Sequence, residues 1–167
     1  MGKEKKCTLY KKYTSYKKCI PYLILAGFTF FFCWWFVGRH GIFGAKVDWL
    51  SQHSVLPDYF RQQFYATGKI FPEFAPNLGG GQNIYHFAYY GLYSPLILPS
   101  YLLPFVKMSD YIMVISITGL TVSVLLFYYW LKSRKMDTGV AFIISLMFLL
   151  AGPMIGQYSG QIMFVDY

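Results

Sequence analysis

A group of aromatic side chains is the part of the sequence best suited to hold a ligand. Five rings accompany His86 in one short stretch, namely Tyr85, Phe87, Tyr89, Tyr90 and Tyr93. Their flat faces and hydroxyls can stack on, and hydrogen-bond to, sugars or lipid headgroups. An aromatic belt at a membrane surface has the same composition. Tyr85, His86 and Tyr89 are therefore candidate substrate-binding residues, with the belt as the alternative.

Three consecutive glycines precede these rings, in the run Leu78-Gly79-Gly80-Gly81-Gln82-Asn83. Glycine adopts backbone conformations that are closed to other residues. The run can therefore form a tight turn that faces a ligand, with Gln82 and Asn83 as its polar groups, or it can be a flexible loop tip. It lacks the lysine and the following helix of a phosphate-binding loop, so it does not predict nucleotide binding.

Asp48 lies earlier in the same region, in the run Val47-Asp48-Trp49-Leu50-Ser51-Gln52-His53. Gln52 follows it by one helical turn and is expected to share its face. Taken alone, the pattern favours Asp48 as the N-cap of a short turn over 49–53, which is a common use of aspartate.

The composition indicates a membrane protein. Of the 167 residues, 56% are hydrophobic and only 13% are charged, which is about half the charged share of soluble proteins. This argues against a disordered chain and against a soluble nucleic-acid-binding protein. The net charge of +8 is concentrated at one end, because seven lysines and one glutamate precede Ile20.

Three uncharged stretches are long enough to cross a hydrocarbon core of ~30 Å as helices. They are residues 20–37, 111–131 and 139–155. Because basic flanks stay in the cytoplasm, the tail 1–19 and the turn 132–138 are expected inside. The connection 38–110 is then outside, and 156–167 begins the next outer segment. The predicted fold is an all-α, multi-pass protein of the plasma membrane with a cytoplasmic N-terminus.

A cleaved signal peptide is the alternative interpretation of the N-terminus. The bulky residues 30–36 occupy the place where a cleavage site needs small ones, so an uncleaved anchor is preferred. The three cysteines, Cys7, Cys19 and Cys33, all precede the outer connection. No disulfide framework is expected there.

The outer connection contains two further helix candidates. Residues 57–68 combine a potential Asp58 N-cap, two phenylalanines four residues apart and a terminating glycine, which predicts a short interfacial helix. Residues 95–106 are apolar but too short to span a membrane, and prolines interrupt them. An interfacial or re-entrant helix is expected there.

These segments resemble the YfhO family of bacterial membrane proteins, and the likeness covers nearly all of the chain. It rests on Val47–His53, Pro57–Phe64, Phe71-Pro72, Leu78–Tyr85, Tyr89–Leu92 and Ser94-Pro95. Family members resemble GT-C glycosyltransferases, which take a sugar from a polyprenyl-phosphate carrier outside the membrane, and they are linked to glycosylation of lipoteichoic acid. The resemblance thus implies three partners: membrane lipid, a lipid-linked sugar and a teichoic-acid-type acceptor. Because members are several times longer, the chain is expected to be an N-terminal portion that is inactive alone.

The resemblance also places a catalytic carboxylate early in the first outer loop, where Asp48 stands. A carboxylate can serve as the base for the attacking hydroxyl. Positive charge is needed for the departing phosphate, and the loop offers Arg61 and Lys69, although Arg61 could instead pair with Asp58. Gln52, His53 and His86 could position substrate or a divalent metal. A single aspartate does not define a metal site, so no metal ligands are assigned.

A non-catalytic component that recognises or moves lipid-linked sugars is the second function class. It would tolerate the loss of Asp48 but would depend on the glycine and aromatic stretches. Ionisable residues inside spans usually mark transport paths, and the three predicted spans contain none. This difference favours the enzyme.

Overall fold

The computed structural model describes residues 2–41, 43–44 and 47–160, with side chains over 18–156. Side chains of the lysine-rich tail before Lys18, and the end of the last predicted segment from residue 161, lie outside the described residues. Helices dominate the fold. They are α1 (Gly2–His40), a π-helical turn (Trp49–His53), α2 (Val55–Thr67), two 3-10 helices (Ile84–Tyr90 and Leu98–Leu102), α3 (Met108–Ser133), α4 (Thr138–Leu149) and α5 (Gly152–Gly160).

Two helices in the described part of the chain are long and apolar enough to cross a membrane. They are Lys18–His40 of α1 and Met108–Ser133, the whole of α3. Much of the apolar surface of α1 is uncovered by the rest of the protein, with Leu23 70% and Trp34 73% exposed. Such a surface is suited to lipid, which takes the place of a protein core.

α1, α3 and α4 pack side by side around one apolar core. Its buried members include Leu25 of α1, Leu120 and Val124 of α3, and Ala141 of α4. Buried hydroxyls at these interfaces bond to the carbonyl four residues earlier in their own helix; they are Thr29, Ser116, Thr121 and Ser145. Because these polar groups are satisfied locally, small side chains can bring the helices close without unpaired donors.

The third predicted span, 139–155, is not one continuous helix. α4 ends at Leu149 and α5 starts at Gly152. The break precedes Pro153, which has no N–H for a helical bond to the Leu149 carbonyl and so cannot continue α4. The turn before α4 agrees with expectation, because α3 ends at Ser133 and the Asp137 carboxylate caps α4 by accepting from Gly139 and Val140 N–H at 2.8 and 3.2 Å.

A helix, α2, is present where one is predicted over residues 57–68, and it ends as expected. Gly68 adopts φ +71° there, and its N–H donates to the Phe64 carbonyl at 2.8 Å, which is a left-handed helix end that glycine adopts without strain. The Asp58 N-cap is wrong. The helix begins three residues earlier, at Val55, so Asp58 lies inside its first turn.

The glycine run forms the tip of a small hairpin rather than an open loop. β1 (Phe74–Ala75) and β2 (Gln82–Asn83) pair antiparallel, with Phe74 opposite Asn83. Gly79, Gly80 and Gly81 have φ of +55°, +82° and +99°. The chain therefore forms the tight turn that the sequence allowed. Three successive residues with positive φ require glycine, which adopts this conformation without strain.

The helix expected over 95–106 is wrong as a continuous element. Only the five residues Leu98–Leu102 are helical, as a 3-10 turn. Pro95, Pro99 and Pro104 remove three N–H donors and bar α geometry in the residues before them, so only short turns remain.

The connection between α1 and α3 has two small cores of its own. One joins α2, β1 and the first 3-10 helix through Leu56, Phe60, Ala75 and Ile84. The other packs Trp49 on the start of α3. The connection is therefore anchored to the end of a membrane helix.

Candidate functional site

The π turn fixes the position of Asp48. His53 N–H donates to the Asp48 carbonyl at 2.9 Å, and Ser54 N–H to the Trp49 carbonyl at 3.0 Å, so each bond spans five residues. This wider turn is frequent at functional sites. Trp49 is only 2% exposed and packs against Met108 and Ile112 of α3. Asp48 is thereby held next to a buried anchor.

Asp48 belongs to a chain of side-chain hydrogen bonds that we call the Asp48 network: Asp48, Gln52 and Tyr90. Gln52 Nε2 donates to Asp48 Oδ1 at 3.4 Å, which confirms that the two residues share a face. The Tyr90 hydroxyl donates to Gln52 Oε1. An ionised carboxylate only accepts, so it turns the amide nitrogen toward itself and leaves the amide oxygen for Tyr90.

The N-cap interpretation of Asp48 gains no support. Asp48 occupies the cap position before the π turn, but its side chain makes no capping hydrogen bond. Among the residues that the structure describes, no lysine or arginine forms an ion pair with it either. Within the described residues, the half-buried carboxylate thus accepts one long side-chain hydrogen bond, from Gln52.

Burial sets the protonation of the groups around Asp48. It raises the pKa of Tyr90 to about 12, with a hydrogen bond to Tyr89 and the charge of Asp48 adding to the effect. Tyr90 therefore stays a donor. Burial also lowers the pKa of His53, against the opposing pull of the Asp48 charge. His53 lies with its ring centroid 6.4 Å from that of Tyr90. It borders the network as a neutral imidazole rather than as a solvated surface residue.

The two predicted phosphate-binding cations lie elsewhere. Arg61 is buried, and its guanidinium bonds to Asp58 at 2.5 Å and to the carbonyls of Leu103 and Val106 at 3.1 and 2.8 Å. Lys69 is exposed, with its ammonium 3.8 Å from the Glu73 carboxylate. Arg61 therefore ties α2 to the turn before α3, whereas Lys69 projects into solvent.

The polar residues of the hairpin mostly serve its own structure. Gln82 Nε2 donates to the Leu78 carbonyl at 3.4 Å, and Asn83 Oδ1 accepts from Tyr85 N–H at 2.9 Å as the cap of the first 3-10 helix. His86 is exposed. Tyr89 is also exposed, with its ring 4.3 Å from that of Tyr90. Tyr89 is thus the predicted aromatic residue that the structure brings to the Asp48 network.

Three exposed rings form a separate aromatic cluster. Tyr85 and Tyr93 stack nearly parallel, at 6.1 Å and 10°, and Phe71 lies 5.1 Å from Tyr93. Tyr85 is 38% and Tyr93 50% exposed, so part of each side chain is accessible to a ligand. Stacked aromatic faces of this kind suit the apolar face of a sugar ring.

An open cavity of about 500 Å³ lies next to the π turn. It is lined by Leu50 and Ser54, by Asp58 and Arg61 of α2, and by residues 104–109. Asp48 does not line it. The part of the chain that the structure describes contains no group of three His, Cys, Asp or Glu side chains that could hold a metal ion.

Tyr90 is the residue of the network that the sequence did not assign to a site. It stood out only as one of several aromatic residues, and 38 residues separate it from Gln52. Its burial distinguishes it from Tyr85, Tyr89 and Tyr93, which are exposed, and a sequence without a fold gives no sign of that difference.

Comparison with known proteins gives one match. No curated protein and no solved structure matches the chain. The family model described as bacterial membrane protein YfhO matches residues 18–167, which is nearly the whole chain and includes both candidate spans and the Asp48 network. The chain therefore belongs to the YfhO family of bacterial membrane proteins.

Proposed function

We propose that the protein is a membrane glycosyltransferase that uses Asp48 as its catalytic base. It transfers a sugar from a polyprenyl-phosphate carrier to an envelope polymer such as lipoteichoic acid, on the outer face of the membrane. Membership of the YfhO family, whose members resemble GT-C enzymes, supports the reaction class. The single observation that carries the proposal is the half-buried Asp48 carboxylate, which neither caps a helix nor pairs with a described cation.

In this reaction the acceptor hydroxyl gives its proton to Asp48 as its oxygen attacks the anomeric carbon of the donor sugar. The bond between that carbon and the carrier phosphate breaks, and its electron pair leaves with the phosphate. Gln52 orients the carboxylate through the 3.4 Å hydrogen bond, and Tyr90 holds the Gln52 amide. General-base assistance of this kind contributes roughly 10²- to 10⁴-fold in rate.

Lys69 is the better of the two candidates for the leaving phosphate. Its exposed ion pair with Glu73 is long and costs little to break. Arg61 already donates to a carboxylate and two carbonyls, so a phosphate would have to displace buried hydrogen bonds. We assign Arg61 a structural role.

The aromatic residues serve the sugars in this proposal. Tyr85 and Tyr93 present the stacked faces described above, and the exposed Tyr89 lies against Tyr90 at the Asp48 network. Gln82 and Asn83 shape the hairpin that carries Tyr85, so their effect on binding is indirect.

The proposal requires residues 38–110 to face the outside of the cell. The basic tail and the turn between α3 and α4 then lie in the cytoplasm, and α4 and α5 together form a third, broken span. A cysteine introduced at the exposed Asn77 should react with a membrane-impermeant thiol reagent in intact cells, whereas one at the exposed Ser133 should react only after lysis. The reverse pattern would refute the orientation and the outer-face reaction with it.

Asp48→Asn is the direct test of the base. Asparagine keeps the size and an oxygen that can accept from Gln52, but it loses the charge and basicity. We expect teichoic acid glycosylation in cells carrying the variant at the native locus to fall at least about a hundredfold at unchanged membrane abundance.

Asp110→Asn is the matched control. It makes the same chemical change at an exposed carboxylate in the first turn of α3 and should leave glycosylation unchanged. Near-normal glycosylation by Asp48→Asn would remove Asp48 from the mechanism. That result would favour the non-catalytic role in handling lipid-linked sugars.

A further inference from the structure

A second cavity, of about 490 Å³, lies at the opposite end of the helices from Asp48. It is lined by Lys18, Pro21, Tyr22, Tyr128, Lys132 and Thr138. These residues belong to the start of the first candidate span, the end of α3 and the start of α4. α3 has 26 residues and is therefore about 39 Å long. The cavity and the Asp48 network thus lie near opposite membrane surfaces.

Most of the surface that lines this cavity is apolar, and the polar groups on its lining side chains are hydrogen-bond donors, two of them positively charged. The lining contains two ammonium groups, two phenols and a threonine hydroxyl, and no carboxylate. Lys132 Nζ donates to the Met136 carbonyl at 2.8 Å and to Thr138 Oγ1 at 2.9 Å. An ammonium has three donors, so among the residues that the structure describes one N–H is left for a ligand.

Asp137 is the nearby carboxylate that could neutralise this charge. Its oxygen Oδ1 accepts from the N–H groups of Val140 and Gly139, which hold its pKa below the ordinary value, with the Lys132 charge contributing less. Asp137 faces the start of α4 and does not line the cavity. The cavity therefore keeps an excess of positive charge toward an acceptor-only group such as phosphate.

We infer that this cavity binds the phosphate of an anionic membrane lipid. Its walls suit a molecule with both a charged and an apolar part. The rings of Tyr22 and Tyr128 meet edge to face at 4.8 Å, and the exposed Leu23 and Ile24 of α1 follow directly along the span. Inorganic phosphate could make the same polar contacts as a lipid headgroup, but it has no acyl chain to contact the apolar face of α1. Basic residues next to a membrane-spanning helix commonly bind the headgroups of anionic lipids.

Lipid titration of the purified chain by native mass spectrometry tests the inference. Phosphatidylglycerol should bind in preference to phosphatidylcholine, which carries no net charge. Lys18→Gln with Lys132→Gln should weaken phosphatidylglycerol binding by about thirtyfold, and Lys18→Gln alone by about fivefold. The single variant leaves the hydrogen bonds of Lys132 in place, so it reports binding even if the double variant folds poorly.

Lys135→Gln is the matched control, because it removes a charge from the same turn without touching the lining. It should leave binding unchanged. Equal losses in Lys135→Gln and Lys18→Gln would overturn the inference in favour of diffuse attraction. Equal binding of the two lipids would overturn the role of charge. Displacement of the lipid by an equal concentration of inorganic phosphate would show a site for a water-soluble phosphate instead.

Discussion

Gly44→Ala should displace Trp49 and with it the neighbouring Asp48. A Cβ atom at residue 44 would lie 2.6 Å from both Cδ2 and Cζ3 of the Trp49 indole, which is far inside the optimal carbon separation of about 3.5–4.0 Å. The indole is almost completely buried against the start of α3, so it cannot turn aside freely. The change therefore tests whether the packing of Trp49 positions the carboxylate.

The expected cost follows from this overlap. Overpacking of a buried site costs about 1–3 kcal/mol, which for a chain of this size lowers Tm by roughly 2–12 °C. A displacement of a catalytic group by about 1 Å costs on the order of a hundredfold in rate. We expect both effects together, measured by thermal unfolding in detergent and by teichoic acid glycosylation in cells.

Gly38→Ala is the control for this prediction. Its Cβ would meet no heavy atom within 4 Å, and alanine within a helix is more stable than glycine by about 0.5–1 kcal/mol. Gly38→Ala should therefore unfold at the same or a higher temperature with unchanged activity. If Gly44→Ala behaved in the same way, the packing of Trp49 would not be what positions Asp48.

Two further predictions concern the neighbours of Asp48. Tyr90→Phe removes the donor to Gln52 Oε1, and the loss of one net hydrogen bond should lower kcat by about tenfold with little change in KM; an unchanged kcat in steady-state assays would show that Tyr90 does not position the base. Burial lowers the pKa of His53 below its ordinary value of 6.5, so in mild acid the unfolded chain takes up a proton that the folded protein does not. The free energy of unfolding should therefore fall as the pH drops below about 6.5. His53→Gln should lose that part of the pH dependence in thermal melts, and identical pH profiles for the two proteins would contradict the burial of a neutral imidazole.

The parts of the fold that local rules govern could be predicted from sequence. Hydropathy located the helices that contain residues 20–37 and 111–131, and Gly68 marked the end of α2. Hydropathy alone was misleading in residues 139–155, because Pro153 breaks the helix while leaving the segment apolar. The prolines of 95–106 had the same effect on a shorter stretch. In both cases backbone chemistry overrode side-chain hydrophobicity.

The candidate site depended on contacts that no local pattern contains. The pair Asp48 and Gln52 is four residues apart and was predictable from helical spacing, whereas Tyr90 joins them from the end of the first 3-10 helix. The burial of Trp49 depends on Met108 and Ile112, which are far along the chain. For Arg61 the sequence left two roles open, and its bonds to the carbonyls of Leu103 and Val106 became visible only in three dimensions.

The π turn makes chain length critical at the site. A π turn is an α-helical turn that accommodates one additional residue. Deleting one residue between Asp48 and Ser54 would restore α-helical spacing and rotate Asp48 by about 100° relative to α2. The Asp48 carboxylate would then turn away from Tyr90 although both residues were still present. Insertions and deletions here should therefore disturb the Asp48 network more than substitutions of the exposed Leu50 and Ser51.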